Sequence, residues 1–278
     1  MRLIIFLILT LSLTACTSVF FQPQKIHYLS PDKLGLSYEE VYLDSTDGVK
    51  LHGWFLPAKG KAMGTVLFLH GNAENISTHI LSVSWLPAQH YNVFLPDYRG
   101  YGLSAGVPTL PGVQMDIDSA MKYLLGRPDI DSERIVILAQ SLGGAMGIYN
   151  VANSPYRNHV KALISESAFS EYRGIVREKL ASFWLAWPLQ WPLSFTIDDD
   201  FSPLPTVSKI SPIPLLIIHG DADQVVPFKH GLALFEAARE PKEMWVVEGG
   251  GHIAAFRQQG YRQKLIEYLQ LVLGKPGS

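Results

Sequence analysis

Along this chain, apolar residues gather in short continuous runs separated by longer mixed segments. The runs fall at 65–69, 92–95, 135–138, 162–164, 215–218 and 244–247. They are continuous rather than alternating, which predicts strands buried on both faces. Segments of helical spacing lie between most of them, 112–125 and 228–238 among them. Such alternation implies an α/β fold, a mainly parallel sheet with helices on both sides. Ligands in such sheets bind at the carboxyl ends of the strands. Ahead of this region, 40–43 and 49–55 are β-rich and flank Thr46, Asp47 and Gly48, a hairpin signal.

Two stretches depart from the pattern. Residues 16–37 form a connector containing Phe20, Phe21, Ile26 and Tyr28, too apolar for a free linker, so part of it is expected to pack on the body. Residues 168–212 contain no strand signal but stay apolar, with Phe183, Trp184, Trp187, Trp191 and Phe195 concentrated there. We read this interval as a helical insertion above the strand ends, a lid, with Trp184, Trp187 and Trp191 facing a substrate pocket. The bland alternative is an extra helical layer with these aromatics in its core.

The chain has 278 residues, 47% hydrophobic and 17% charged, enough for one large domain, which we place at 38–273. Its net charge of −2 and lack of a basic stripe argue against a nucleic-acid partner. The single cysteine, Cys16, excludes an intrachain disulfide. Before it stand Met1 and Arg2, an apolar run over 3–11, and the small residues Thr14 and Ala15. This describes a secretory signal over 1–15, too short for a membrane span. The sequence LTAC also resembles the lipobox of bacterial lipoproteins. That resemblance implies a lipidated Cys16, palmitate included, anchoring the protein to a membrane of the bacterial cell envelope. Thr17, in place of aspartate, points to the periplasmic side of the outer membrane where the host has two membranes.

The candidate chemistry begins at AQSLGG, residues 139–144. Ser141 directly follows an apolar run and precedes a helical segment, the context of a nucleophile elbow. A serine there has an exposed hydroxyl, free neighbouring N–H groups and a helix N-terminus beside it. The tight turn requires small residues two before and two after the serine. Gly143 meets this, and Ala139 adds one methyl where the G-x-S-x-G motif has hydrogen. A nucleophilic serine needs a base, and the base an orienting acid. His252 follows Gly249, Gly250 and Gly251 just past the last apolar run and is the best-placed base. His70 and His219 end strands but precede glycines and look like turn elements. His27, His79, His90 and His159 lie in connectors or helices without such context. For the acid, Asp221 and Asp223 both follow the run at 215–218, and spacing alone does not choose between them. The chain order Ser, Asp, His is that of α/β-hydrolases.

Taken together, LHGNAEN (69–75), PDYRGYGLSAG (96–106), AQSLGG, HGDADQVVP (219–227) and GGGH (249–252) resemble the α/β-hydrolase superfamily. They are most similar to its serine-aminopeptidase-like and bud-emergence-homologue-like branch. The likeness runs from about 41 to 273, the insertion excepted. It implies an eight-stranded, mainly parallel sheet and no cofactor. It also implies Asp223 as the acid, the second Asp of H-G-x-x-D, with Asp221 and Glu166 as alternatives, since some members place the acid after the strand that Glu166 ends. By the same likeness, the backbone N–H groups of Leu142 and Asn72 form the oxyanion hole, with Ala73 as substitute. Tyr98 to Gly106 read as structural, Asp97 and Arg99 pinning loops.

Asp198, Asp199 and Asp200 read as a turn or helix cap, and no metal site is expected. Phosphate-binding motifs are absent from the sequence. The expected activity is a serine hydrolase acting on small-molecule carboxylic esters, short-to-medium or aromatic in the acyl part, through an acyl-enzyme. Rival readings are an aminopeptidase or amidase, with Glu166 or Glu171 meeting a substrate amine, and a thioesterase or lipid acyl hydrolase, with Trp184, Trp187 and Trp191 touching a membrane interface instead of the pocket. A non-catalytic envelope binding protein on the same fold is the alternative from another class.

Overall fold

The computed structural model describes residues 20–274. The signal segment over 1–15 and Cys16 therefore lie outside the described residues. The strands in chain order are β1 (Gln22–Pro23), β2 (Glu39–Asp44), β3 (Lys50–Leu56), β4 (Gly64–Leu69), β5 (Ala73–Glu74), β6 (Tyr91–Asp97), β7 (Ile135–Gln140), β8 (Val160–Glu166), β9 (Leu215–Gly220) and β10 (Lys242–Val247). Eight of them form one sheet in the order β10-β9-β8-β7-β4-β6-β3-β2. It is parallel from β10 to β6, and the β2–β3 hairpin closes it with antiparallel pairing.

The helices are α1 (Ile76–His79), α2 (Leu110–Leu125), α3 (Leu142–Asn153), α4 (Tyr172–Ala181), α5 (Gln190–Ser194), α6 (Lys229–Ala237) and α7 (Gln259–Leu273). Successive residues of a strand point to opposite faces, and the core divides accordingly. Leu67, Leu69, Ile137 and Ala139 pack with residues of α2, α3 and α6. Val66, Phe68, Val136 and Leu138 pack on the other face with α1 and α7. The central strands β4, β7 and β9 are buried throughout, whereas the edge strands β2 and β10 expose residues along their length. Each fully buried Leu, Ile, Val or Phe of the central strands contributes about 1.5–3 kcal/mol.

The connector packs on this body. Phe20 and Phe21 are buried, and the Phe20 ring meets the edge of Tyr172 at 4.8 Å. Gln22 and Pro23 pair in parallel with Ala73 and Glu74, so the connector adds a short strand beside the loop after β4.

The chain between β8 and β9 carries α4 and α5 and contains no strand. Its aromatics behave as neither expectation required. Phe183, Trp184, Trp187, Trp191 and Phe195 are 53–77% exposed, so they form no helical core layer. Pro188 and Pro192 interrupt the segment, which folds as short turns and the five-residue α5, whose one buried residue is Ser194. So short an element covers little surface, and the large rings are left facing outward. Arg177 lies over the Trp191 ring at 4.1 Å. Asp199 accepts from the N–H of Arg173 in the first turn of α4, as the capping reading of the acidic run expects.

Candidate active site

Ser141 stands between β7 and α3 with φ 54° and ψ −118°, a strained turn for a residue with a side chain. Its N–H donates to the carbonyl of Glu166 at 2.8 Å, which locks the turn to the next strand. Gly143 is required here: a Cβ would lie 2.4 Å from the carbonyl oxygens of both Leu69 and His70. The Ala139 methyl is accommodated because it faces Gly147, one helical turn further on, where a Cβ would stand only 3.3 Å away.

His252 sits on the loop after β10. Its Nε2 is 2.9 Å from Ser141 Oγ and its Nδ1 is 2.8 Å from Asp223 Oδ2. Asp223 Oδ1 accepts from the N–H groups of Val225 and Val226 at 2.8 and 2.9 Å. Burial pushes the Asp223 carboxyl up, but the bonds from His252, Val226 and Val225 outweigh it and hold it below its ordinary value. An ionised Asp223 accepts from Nδ1–H, which leaves Nε2 as acceptor for the Ser141 hydroxyl; this tautomer follows from the hydrogen-bond network.

The two alternative acids are occupied elsewhere. Asp221 Oδ1 accepts from the N–H of Gly249 at 2.7 Å and shapes the loop that carries His252. Glu166 is buried, accepting from Gln140 Nε2 at 2.6 Å and from the N–H of Ala255 at 2.9 Å. Burial raises its pKa. Both carboxylates thus hold the loops around His252, and neither bonds to its ring.

A cavity of about 410 Å³ opens beside Ser141. Leu142 and Asn72 line it, and so do Phe169, Ile175, Leu180 and Val226. Lys179 is its one charged residue; it has no carboxylate lining. Asn72 is held by its side chain, whose Oδ1 accepts from Gln22 N–H at 2.9 Å and from Tyr101 hydroxyl at 3.2 Å. The N–H of Leu142 opens α3 and has no intrahelical acceptor. A larger cavity of about 630 Å³, near His79, Phe256 and Arg257, does not include Ser141.

Trp184, Trp187 and Trp191 are absent from the lining of the Ser141 cavity, which corrects the expectation that they face the pocket. The insertion contributes α4 instead, through Ile175, Val176, Lys179 and Leu180. The connector was missed as a wall: Phe20 and Gln22 line the cavity. Its apolar composition was the available signal. Tyr98 and Tyr101 are buried, and Tyr98 donates to the His70 carbonyl at 3.1 Å, a structural role as expected. Arg99 pairs with Asp116 and Asp47, also as expected. Elsewhere, the fold brings His27, His52 and Asp97 together, a set with donors suited to a metal ion.

Residues 78–275 match the Prolyl oligopeptidase family, Peptidase_S9. The chain belongs to this family, within the α/β-hydrolase superfamily. It is a hydrolase by membership. YfhR of Escherichia coli (strain K12) is 35% identical over 240 residues, covering 84% of this chain and 81% of YfhR. The alpha/beta hydrolase domain-containing protein WAV2 of Arabidopsis thaliana is 35% identical over 230 residues, 78% of this chain and 73% of WAV2. Among solved structures, the Pyrococcus furiosus esterase Pf2001 superposes with a TM-score of 0.73 at 20% identity, over 91% of this chain and 97% of that one. At that identity the likeness is one of fold.

Proposed function

We propose that this hydrolase cleaves carboxylic esters of small molecules with short-to-medium or aromatic acyl groups. The observation that carries the reading is the relay of 2.8 and 2.9 Å hydrogen bonds from Asp223 through His252 to Ser141. Ser141 Oγ attacks the carbonyl carbon while His252 Nε2 takes its proton. The N–H groups of Leu142 and Asn72 meet the resulting oxyanion. Collapse breaks the acyl–oxygen bond, and the imidazolium gives its proton to the departing alcohol. Water then attacks the acyl-serine as His252 takes a proton from it. A second collapse releases the acid and returns that proton to Ser141. Asp223 orients the ring and stabilises the imidazolium throughout.

The apolar lining favours apolar acyl groups. A fluorophosphonate probe tests the mechanism: wild type labels and Ser141→Ala does not. Labelling that persists in the variant, or never occurs, overturns it and favours the envelope binding protein. A panel of nitrophenyl esters, thioesters and aminoacyl anilides tests the substrate class. An aminopeptidase needs a negative group for the substrate amine, and the cavity lining offers only Lys179 as a charge. A second reading, a lipid-directed acyl hydrolase, is favoured by the exposed aromatics of the insertion, whose rings suit a membrane interface.

The same reading takes residues 1–15 as a signal segment and Cys16 as a lipid-bearing anchor at a bacterial envelope membrane. It draws support from the LTAC sequence. Among the described residues, no helix is long and apolar enough to cross a membrane. Membrane fractionation of wild type against Cys16→Ala tests it; a variant that stays with the membrane counts against the anchor.

A further inference from the structure

Three side chains far apart in sequence converge on one point away from Ser141: His27 in the connector, His52 in β3 and Asp97 at the end of β6. His52 and Asp97 are register partners across the β3–β6 pair. His27 Nε2 lies 3.4 Å and His52 Nδ1 3.7 Å from Asp97 Oδ2. All three atoms fall within 4.8 Å of one another. Each is buried and has no hydrogen-bond partner among the described residues.

The two histidines pair with Asp97 only at long range. A charge-assisted N–H···O bond closes to about 2.7–2.9 Å, and both separations are well beyond that. The other nitrogen of His52, Nε2, contacts Glu40 Oε2. With Nε2–H donated to Glu40, the neutral ring turns the bare lone pair of Nδ1 towards a carboxylate oxygen. Two buried acceptors then face one another, which is unfavourable unless a cation lies between them; a proton on Nδ1 would serve, but at 3.7 Å it leaves a long contact, whereas a metal ion fills the gap. Separations of 3.4 and 3.7 Å suit ligands of one ion. Zinc bonds of about 2.0–2.2 Å in a tetrahedron set ligand atoms roughly 3.3–3.6 Å apart. The contact of His52 with Glu40 has the form of the outer carboxylate–histidine contact that orients metal-bound imidazoles.

We propose that His27 Nε2, His52 Nδ1 and Asp97 Oδ2 bind one divalent transition-metal ion of the zinc class. Imidazole with carboxylate selects such ions over magnesium or calcium. His27 is partly exposed, side chain 19%, and gives the ion and a completing water a route in. Gly102 belongs to the site as a wall: a Cβ there would lie 2.0 Å from Asp97 Oδ2 and 2.7 Å from His27 Nε2. The ion would fasten the connector to the sheet. Gln24 and Ile26 of that connector already take bonds from Asn75, and Gln22 holds Asn72 beside the Ser141 cavity. The site is thus a staple for one wall of the cavity, separate from the proposed ester chemistry.

The test uses the full chain, stripped with chelator and titrated with Zn²⁺, and with Co²⁺ for its visible ligand-field absorption. We expect one equivalent per chain, a Co²⁺ spectrum of low-symmetry nitrogen and oxygen coordination, and a zinc-dependent rise in Tm. His27→Gln, a change in the connector, should weaken binding by about tenfold or more and abolish the Tm rise. Gly102→Ala, which keeps every ligand, should weaken it as well. If wild type takes up no stoichiometric metal, or His27→Gln binds as tightly as wild type, the proposal is overturned. Metal content and spectrum are read without substrate, so failure here is distinct from failure of the esterase reading.

Discussion

The elbow at Ser141 and the aromatic insertion at 183–195 are both short, apolar and without charged residues, yet the fold uses them in opposite ways. At the elbow the flanking residues 139, 140 and 142–144 are buried, and one added carbon at Gly143 would collide with two backbone oxygens. In the insertion, rings as large as Trp184 are 77% exposed. The difference lies in what flanks each segment. The elbow is held between a central parallel strand and a twelve-residue helix that crosses the sheet. The insertion has two prolines and turns too short to bury a ring against a partner. Apolar composition alone therefore does not say whether a segment is core or surface; the length of the elements that carry it does.

Several measurements would break or sharpen this contrast. Ser141→Ala should lower ester turnover by about 10⁴-fold or more while leaving Tm nearly unchanged, as initial rates and thermal unfolding would show. Gly143→Ala should cost about 3 kcal/mol by urea denaturation, because the helix must move off Leu69 and His70. If it folds with wild-type stability, the close packing described for the elbow is wrong. Ala139→Gly, restoring the usual glycine, should cost only about 1 kcal/mol and leave kcat/KM intact.

Asp223 provides a pH test. Its folded carboxyl lies below the ordinary value of 3.8. The unfolded chain therefore binds the proton more readily. The stabilisation from its bonds is fully present above 3.8 and is lost as pH falls through the depressed folded value. The part of the stability difference between wild type and Asp223→Asn that comes from the carboxylate's own titration should hence be lost in acid and nowhere else. A difference that already varies near neutrality would point to another group. The smallest effect belongs to the insertion: Trp184, Trp187 and Trp191 changed together to Ala should shift stability by about 1 kcal/mol, mostly through the lost Arg177–Trp191 contact. Turnover of a short soluble ester should stay unchanged, and binding to lipid vesicles should fall. A large loss of soluble-ester turnover would return these rings to the pocket.

Much of this was legible in the chain. Runs at 65–69, 135–138 and 215–218 became fully buried central strands, and the Asp–Gly hairpin formed where its turn residues stand. Ser141 and His252 could be singled out because a strand end, a turn and a glycine loop are each encoded within a few residues. Asp221 and Asp223 could not be separated by spacing. Both follow the same strand, and what distinguishes them is a ring 29 residues beyond Asp223. The tryptophans were misplaced because their composition resembles a core and nothing local reveals which way a short turn faces.

By itself, then, the sequence determined the alternation of strands and helices, the elbow and the residues capable of nucleophilic chemistry. All of these rest on local periodicity and backbone preference, which act within one element. Only the tertiary structure decided which carboxylate meets His252, how the connector walls the cavity, where the tryptophans point, and that His27, His52 and Asp97 share one buried point. Those outcomes depend on contacts between segments far apart in the chain, formed when the sheet closes and its hairpin edge meets the connector.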